Sequence, residues 1–407
     1  MVSGRSTFNA AIALAVATLT ACAPDAGPHG PTAIAARPAS VASVPAGLVT
    51  LEWQEQARSL VAAHRFSALA AGRAYAALGV AQHRAIEAAD AEPSLAELGE
   101  GVSSSAGGRR QLEARRGAVA GASVRVLGFL FPSAATALEE RLAVQGEASA
   151  GNVHPHFARG VAIGRAAGDA MVARLQGDRF TTPWTGPAPT GDGIFTPVML
   201  PPAGGTFGGV TPYYMTSGRQ FRPAPPPAFG SAAFVAELDQ VIALTQNRTP
   251  EQLAMARGWD LPGGTPTPVG YWNSVAAGFV AEHGLDERGA TEVFAVMQAA
   301  IVDALIGCWD AKYEYWTIRP SQASAAVQLG LGLPNHPSYP SGHSCVSASA
   351  GEVLAHYFPD READLDSRVE QAGFSRVVTG IHFWFDITAG QDIGRRVAAL
   401  AIERGAP

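Results

Sequence analysis

From Leu48 to about Ala91 the chain is rich in alanine, holds few helix breakers and repeats its apolar residues at three- and four-residue spacing. That spacing keeps them on one face of an α-helix and predicts one or two helices. The same pattern returns from Gly107 to Glu147 and from Phe157 to Leu175. No segment alternates convincingly with the period of two that a half-buried strand needs. After a long interruption, helical patterning resumes over Phe234–Thr245, Gly270–Glu282, Asp286 to about Trp316, Ser344–Tyr357, Asp364–Gly373 and His382–Arg404. Thr249-Pro-Glu-Gln has the form of a helix start, with a capping hydroxyl and proline in the first turn.

The interruption, 177–230, is dense in Thr-Pro, Gly-Pro, Pro-Pro and Gly-Gly pairs, which punctuate a chain rather than extend an element. Its aromatic residues, Trp184, Phe195, Phe207, Tyr213, Tyr214 and Phe221, predict a connection packed onto the protein. The fold class that follows is all-α, with helical bundles in two halves. The N-terminal helical region covers 47–176, the connection 177–230 and a second helical domain 231–407.

The start of the chain follows different rules. Arg5 precedes an apolar stretch from about Phe8 to Leu19, the length of a signal-peptide core. Leu19-Thr-Ala-Cys22 reads as a bacterial lipobox, so 1–21 is expected to be a leader and Cys22 the lipid acceptor. Residues 22–46, rich in Ala, Pro and Ser, read as a tether. The expected location is outside the cytoplasm, facing periplasm or exterior, with membrane contact only through the lipid anchor. Past the leader, no segment reads as eighteen uncharged apolar residues, so no transmembrane helix is expected.

Composition narrows the function. Hydrophobic residues make up 47% of the 407, enough for a core. The net charge of −6 and the absence of any basic run argue against a nucleic-acid partner. Cys308 and Cys345 remain after Cys22, and their ordinary explanation is two small buried thiols.

Against that acidic background, three clusters that together carry three permanent cations stand out near the C-terminus. The first is Lys312-Tyr-Glu-Tyr-Trp-Thr-Ile-Arg319-Pro320. On a continuing helix Lys312 and Arg319 lie nearly two turns apart, and Pro320 puts Arg319 at the helix end. Taken alone, they could be a solvated basic pair. The second cluster, Pro340-Ser341-Gly342-His343, opens a helix. A helix start offers free N–H groups to an anion, Ser341 adds a hydroxyl, Gly342 allows close approach and His343 is a candidate acid–base group. A capped helix with an incidental histidine would explain it equally. The third is Ser375-Arg376-x5-His382-x3-Asp386. With His382 and Asp386 at i and i+4, the carboxylate can take the Nδ1 proton and leave Nε2 as ligand or nucleophile.

In this order and spacing the clusters resemble the signature of the vanadium haloperoxidase and type 2 phosphatidic acid phosphatase (PAP2) superfamily. The resemblance is strongest from about Tyr271 to Gly394. It implies an all-α fold with a catalytic four-helix-bundle core in the C-terminal half. It also implies that His382 binds vanadium or attacks phosphorus, that Lys312, Arg319 and Arg376 hold oxyanion oxygens, and that Ser341 and the Gly342 N–H complete the cradle. His343 then serves as acid–base group and Asp386 orients His382.

Two activities fit. In a vanadate-dependent haloperoxidase, Lys312 would polarise hydrogen peroxide and a halide would be oxidised. The large helical region before the motifs favours this reading. So does His336, seven residues before His343, where bromoperoxidases of the family also carry histidine, making it a halide-tuning candidate with bromide favoured. In a lipid-tethered phosphatase with no cofactor, His382 would form a phosphohistidine from a phosphate monoester and His343 would protonate the leaving group. A catalytically silent oxyanion-binding lipoprotein is the third possibility. His154-Pro-His156 lacks a third ligand at metal spacing. Neither the organic substrate nor the oligomeric state is legible.

Overall fold

The computed structural model describes residues 47–92, 105–147 and 154–407. The leader, the lipobox with Cys22 and the tether lie outside the described residues. Among those described there are thirteen α-helices and no strands. The first five are α1 (Val49–Ala63), α2 (Ala68–Asp90), α3 (Ser105–Leu130), α4 (Ala135–Glu147) and α5 (Pro155–Gly177). Beyond the connection come α6 (Ala232–Asn247), α7 (Pro250–Gly258), α8 (Thr267–Glu282), α9 (Glu287–Tyr315) and the single turn α10 (Pro320–Ala323). The series ends with α11 (Gly342–Tyr357), α12 (Glu362–Val378) and α13 (Trp384–Arg404).

Local chemistry sets the boundaries. Ser67 caps α2 by accepting from the Ala70 N–H. Thr249 and Gln252 close a reciprocal capping box on α7, as the Thr-Pro-Glu-Gln sequence implied. Asp286 caps α9, and Trp316 ends it in the left-handed region at φ 49°. His154 caps α5, its Nδ1 accepting from the His156 N–H at 3.3 Å. Among the described residues, no group of three or more His, Cys, Asp or Glu could hold a metal ion.

Helix α9 is the axis of the core. It packs against α2 from before the connection and against α11 and α13 from after it, so one apolar cluster runs from Val49 to Ala401. By length and mean hydropathy, 1.6, this segment could cross a membrane, which the sequence reading did not anticipate. In the fold, 94% of that stretch is buried inside the protein, so its apolar surface is used in packing. Two carboxylates on α9 fasten other segments to it. Glu287 accepts from the Val49 and Thr50 N–H groups, at 2.6 and 3.0 Å, where α1 begins and its dipole favours negative charge. Asp303 accepts from the N–H groups of Tyr213, Tyr214 and Met215 at 2.8, 2.7 and 2.9 Å. Arg222 pairs with Asp310 at 2.7 Å, so the connection is pinned along α9 as its aromatic content predicted.

Helices α3 and α5 touch through glycine. A Cβ on Gly164 would stand 2.0 Å from the Ala118 carbonyl oxygen, and one on Gly121 would stand 2.4 Å from that of Val161. Gly164→Ala must therefore push the helices apart, and is expected to cost about 3 kcal/mol. Chemical denaturation checks this, and an unchanged midpoint would contradict the close contact.

Candidate active site

The last turn of α9 delivers Lys312, which has no exposed surface. Its ammonium donates to the carbonyls of Pro337 and Ser338, both at 2.9 Å, and to that of Pro340. Three acceptors use all three of its N–H bonds. Burial holds its pKa below the ordinary lysine value. Because α9 stops at Tyr315, Arg319 is not on its helix. It arrives on an extended segment and caps α10, with φ −82° and ψ 152°. The two cations thus converge from different elements rather than from one helix face.

Arg319 is fully buried and places its guanidinium among five acceptor contacts. Nε and Nη2 donate to the His336 carbonyl at 3.1 and 2.9 Å, and Nη1 donates to the Ile381 carbonyl at 2.6 Å. Nη1 also lies 3.1 Å from His382 Nε2, and Nη2 lies 3.1 Å from His336 Nδ1. Arg376, in the last turn of α12, donates from Nε to Ser375 Oγ at 2.8 Å and from Nη2 to the Ala256 carbonyl at 2.9 Å. Its Nη1 lies 3.8 Å from Asp260. Burial lowers both arginines to about 10, so both stay charged at neutral pH.

Ser341 is the N-cap of α11, and its hydroxyl accepts from the Ser344 N–H at 3.4 Å. A Cβ on Gly342 would meet the Trp309 ring at 3.0 Å, so glycine lets that ring close against the helix start. His343 Nε2 lies 2.8 Å from the Trp259 carbonyl oxygen. A carbonyl only accepts, so Nε2 carries the proton and Nδ1 keeps a lone pair. The partner of His343 is therefore a main-chain oxygen. Burial, with the nearby charge of Arg376, holds its pKa well below the usual histidine value.

His382 precedes α13, so the i and i+4 helix-face geometry expected for His382 and Asp386 does not hold. Phe383 is the N-cap, and Asp386 is the third helical residue. Asp386 Oδ2 accepts from the Phe383 N–H at 3.1 Å, as an N3 carboxylate does in a capping box. That turns it back along the chain, where it meets His382 Nδ1 at 2.7 Å. Nδ1 therefore holds the proton and Nε2 presents a lone pair. Burial and the charges of Arg319 and Lys312 keep His382 neutral, well below its ordinary pKa. Burial raises the Asp386 carboxyl.

The structure brings all three clusters together, with His336 tilted against Trp309 at 5.1 Å. Cys308 and Cys345 are buried free thiols beside the site, with Cys308 Sγ 3.7 Å from the Pro340 carbonyl. Sequence reading missed Trp259, Asp260 and Ser338. The first acts through a main-chain oxygen and the second through a long ion pair, neither of which leaves a motif. Ser338 lies just outside one. A cavity of about 410 Å³ between α1 and α8, walled by Leu261, Tyr271, Val275 and Phe279, is lined by none of the cluster residues.

The donor set suits a tetrahedral oxyanion. It combines permanent buried cations, a hydroxyl, a helix-start N–H and one imidazole lone pair. An oxyanion oxygen is a better acceptor for a guanidinium N–H than a neutral ring nitrogen. Exchange of the Arg319 contact from His382 to such an oxygen would free Nε2.

Among curated proteins, an acid phosphatase of Zymomonas mobilis is 41% identical over 59 residues, 14% of this chain and 22% of that protein. A non-specific acid phosphatase of Providencia stuartii is 28% identical over 186 residues, 44% of this chain and 70% of that protein. The chain thus spans less than a quarter of the first relative and about two thirds of the second. Among solved structures, a bacterial vanadium-dependent iodoperoxidase shares the fold at a TM-score of 0.72 and 23% identity, over 89% of this chain and 98% of that one. The family model of the PAP2 superfamily matches residues 296–404. The stretch that carries all three clusters, from the core of α9 to the end of α13, is a PAP2-superfamily domain.

Proposed function

We propose that this chain is a vanadate-dependent haloperoxidase. The observation that carries this reading is extent. The fold likeness to the iodoperoxidase runs over 98% of that chain and so takes in α1 to α5 and the connection, far beyond the motifs. The acid phosphatases of Zymomonas mobilis and Providencia stuartii match over 59 and 186 residues, 14% and 44% of this chain.

The residues present fit vanadate. His382 Nε2 would be the vanadium ligand, its proton held on Nδ1 by Asp386. Arg319, Arg376, Ser341 and the Gly342 N–H would hold the oxygens, while Lys312, expected from the motif to hold them too, has its three N–H bonds on main-chain carbonyls and would add buried positive charge. Bound vanadate would supply activation of hydrogen peroxide, so that peroxide, a halide and one proton give hypohalous acid and water. His343, neutral and fixed through Nε2–H, offers Nδ1 as the proton acceptor. His336, against Trp309 and Arg319, would tune the halide.

A second reading has a specific observation in its favour, the 41% identity to an acid phosphatase. There His382 would attack the phosphorus of a phosphate monoester. His343 would have to be protonated first to serve the leaving group, which its depressed pKa resists at neutral pH.

The two readings separate in one experiment. The purified chain, loaded with orthovanadate, is assayed for peroxide-dependent oxidation of iodide, bromide and chloride. Vanadate-free protein is assayed in parallel on p-nitrophenyl phosphate. Vanadate-dependent halide oxidation is expected. Robust ester hydrolysis with no halide oxidation at any pH would overturn the proposal in favour of the phosphatase.

A further inference from the structure

We infer that Ser338, outside the three motifs, is a positioning residue for His382, acting through its hydroxyl on Asp386. The inference rests on His382 being the reactive group. Ser338 has no exposed surface, and its Oγ donates to Asp386 Oδ2 at 2.5 Å. The same oxygen receives His382 Nδ1 at 2.7 Å and the Phe383 N–H at 3.1 Å. The other oxygen, Oδ1, is buried and has no hydrogen-bond partner. Three donors thus converge on one carboxylate oxygen and none on its twin.

That asymmetry defines the job of the hydroxyl. A buried carboxylate is stabilised by rotating toward whatever donors surround it. Phe383 and His382 both belong to the segment leading into α13 and would move with Asp386. Ser338 comes from another part of the chain, so its hydroxyl is the external reference that fixes the rotation of the carboxylate, and with it the plane of the imidazole. A donor that fixes a ligand's partner is worth about 10- to 100-fold in activity or affinity at comparable sites.

The main chain of Ser338 secures the reference. Its N–H donates to the Thr317 carbonyl at 2.9 Å, and its carbonyl accepts from Lys312 Nζ at 2.9 Å. One residue therefore touches the Lys312–Arg319 segment through its backbone and the His382–Asp386 segment through its side chain. It also stands in the loop that leads to Ser341. The three motifs are held in mutual register at this point.

The test compares Ser338→Ala, which deletes the donor, with Ser338→Thr, which restores a hydroxyl, and Ser338→Cys, a weaker donor. Each is measured for kcat and KM in whichever turnover the parent supports. The low-field proton resonance of His382 Nδ1–H is followed in histidine-labelled protein. Alanine is expected to lower kcat by about 10- to 100-fold with little change in KM and to shift the resonance, with cysteine intermediate and threonine near the parent. Parent-like kcat and resonance in Ser338→Ala overturn the inference. Equal losses in the alanine and threonine variants also overturn it, because packing would then be the cause. If alanine does not fold, the threonine and cysteine pair decides by the same criteria. The resonance reads the His382–Asp386 pair without turnover, so failure of the haloperoxidase reading leaves this test intact.

Discussion

A His382→Ala variant is expected to lose turnover by more than about 10⁴-fold, in halide oxidation or in ester hydrolysis, whichever the parent performs. Both chemistries need one imidazole lone pair at the centre of the cradle. His382 Nε2 supplies it because Asp386 holds the proton on Nδ1 at 2.7 Å. His343 differs in holding its proton on Nε2, toward the Trp259 carbonyl, rather than on a carboxylate-paired Nδ1. Asp386→Asn should cost less, about 10- to 100-fold, since it disturbs tautomer and orientation but leaves the nitrogen in place. The ratio of the two losses is the diagnostic. Turnover in His382→Ala within tenfold of the parent would remove that residue from the centre of either reaction.

Arg319→Lys is expected to weaken binding of orthovanadate and inorganic phosphate by about 10²- to 10³-fold, although the charge is kept. Arg319 reaches the His336 and Ile381 carbonyls, His336 Nδ1 and His382 Nε2 from one rigid fork. A lysine offers three donors from a single atom and cannot span them. The two carbonyls would compete for its ammonium, and an arriving oxyanion would meet a cation already committed. Titration calorimetry with each anion reads the effect directly. Affinity within about threefold of the parent would mean that positive charge alone is recognised and the fork is dispensable.

Much of this was legible in the sequence, for identifiable reasons. The apolar period fixed the helices to within a few residues because each one buries a continuous face. The paired prolines and glycines marked 177–230. Side chains with charge and hydrogen-bonding capacity, at fixed spacing, marked the cradle. What escaped notice was encoded where sequence carries little signal. Trp259 holds His343 through a carbonyl that every residue type possesses. Ser338 is one serine among many until the fold sets it beside Asp386. The spacing of His382 and Asp386 suggested a shared helix face. In the fold the pair meets because Asp386, at the third position of α13, turns back to cap the helix start. The apolar pattern did end α9 near Trp316, but Arg319, put at the helix end on the strength of Pro320, comes in on an extended segment beyond it.

The glycine contact between α3 and α5 bears on how this chain tolerates change over time. At Gly117, Gly121, Gly160 and Gly164 a Cβ would fall within 2.1, 2.4, 2.0 and 2.0 Å of a main-chain oxygen on the opposite helix. Such positions reject every other amino acid whatever the enzyme does. Drift in this region must flow around them, while neighbouring solvent-facing positions remain open to it. Invariance at these glycines across relatives would mark a steric lock rather than a second active region.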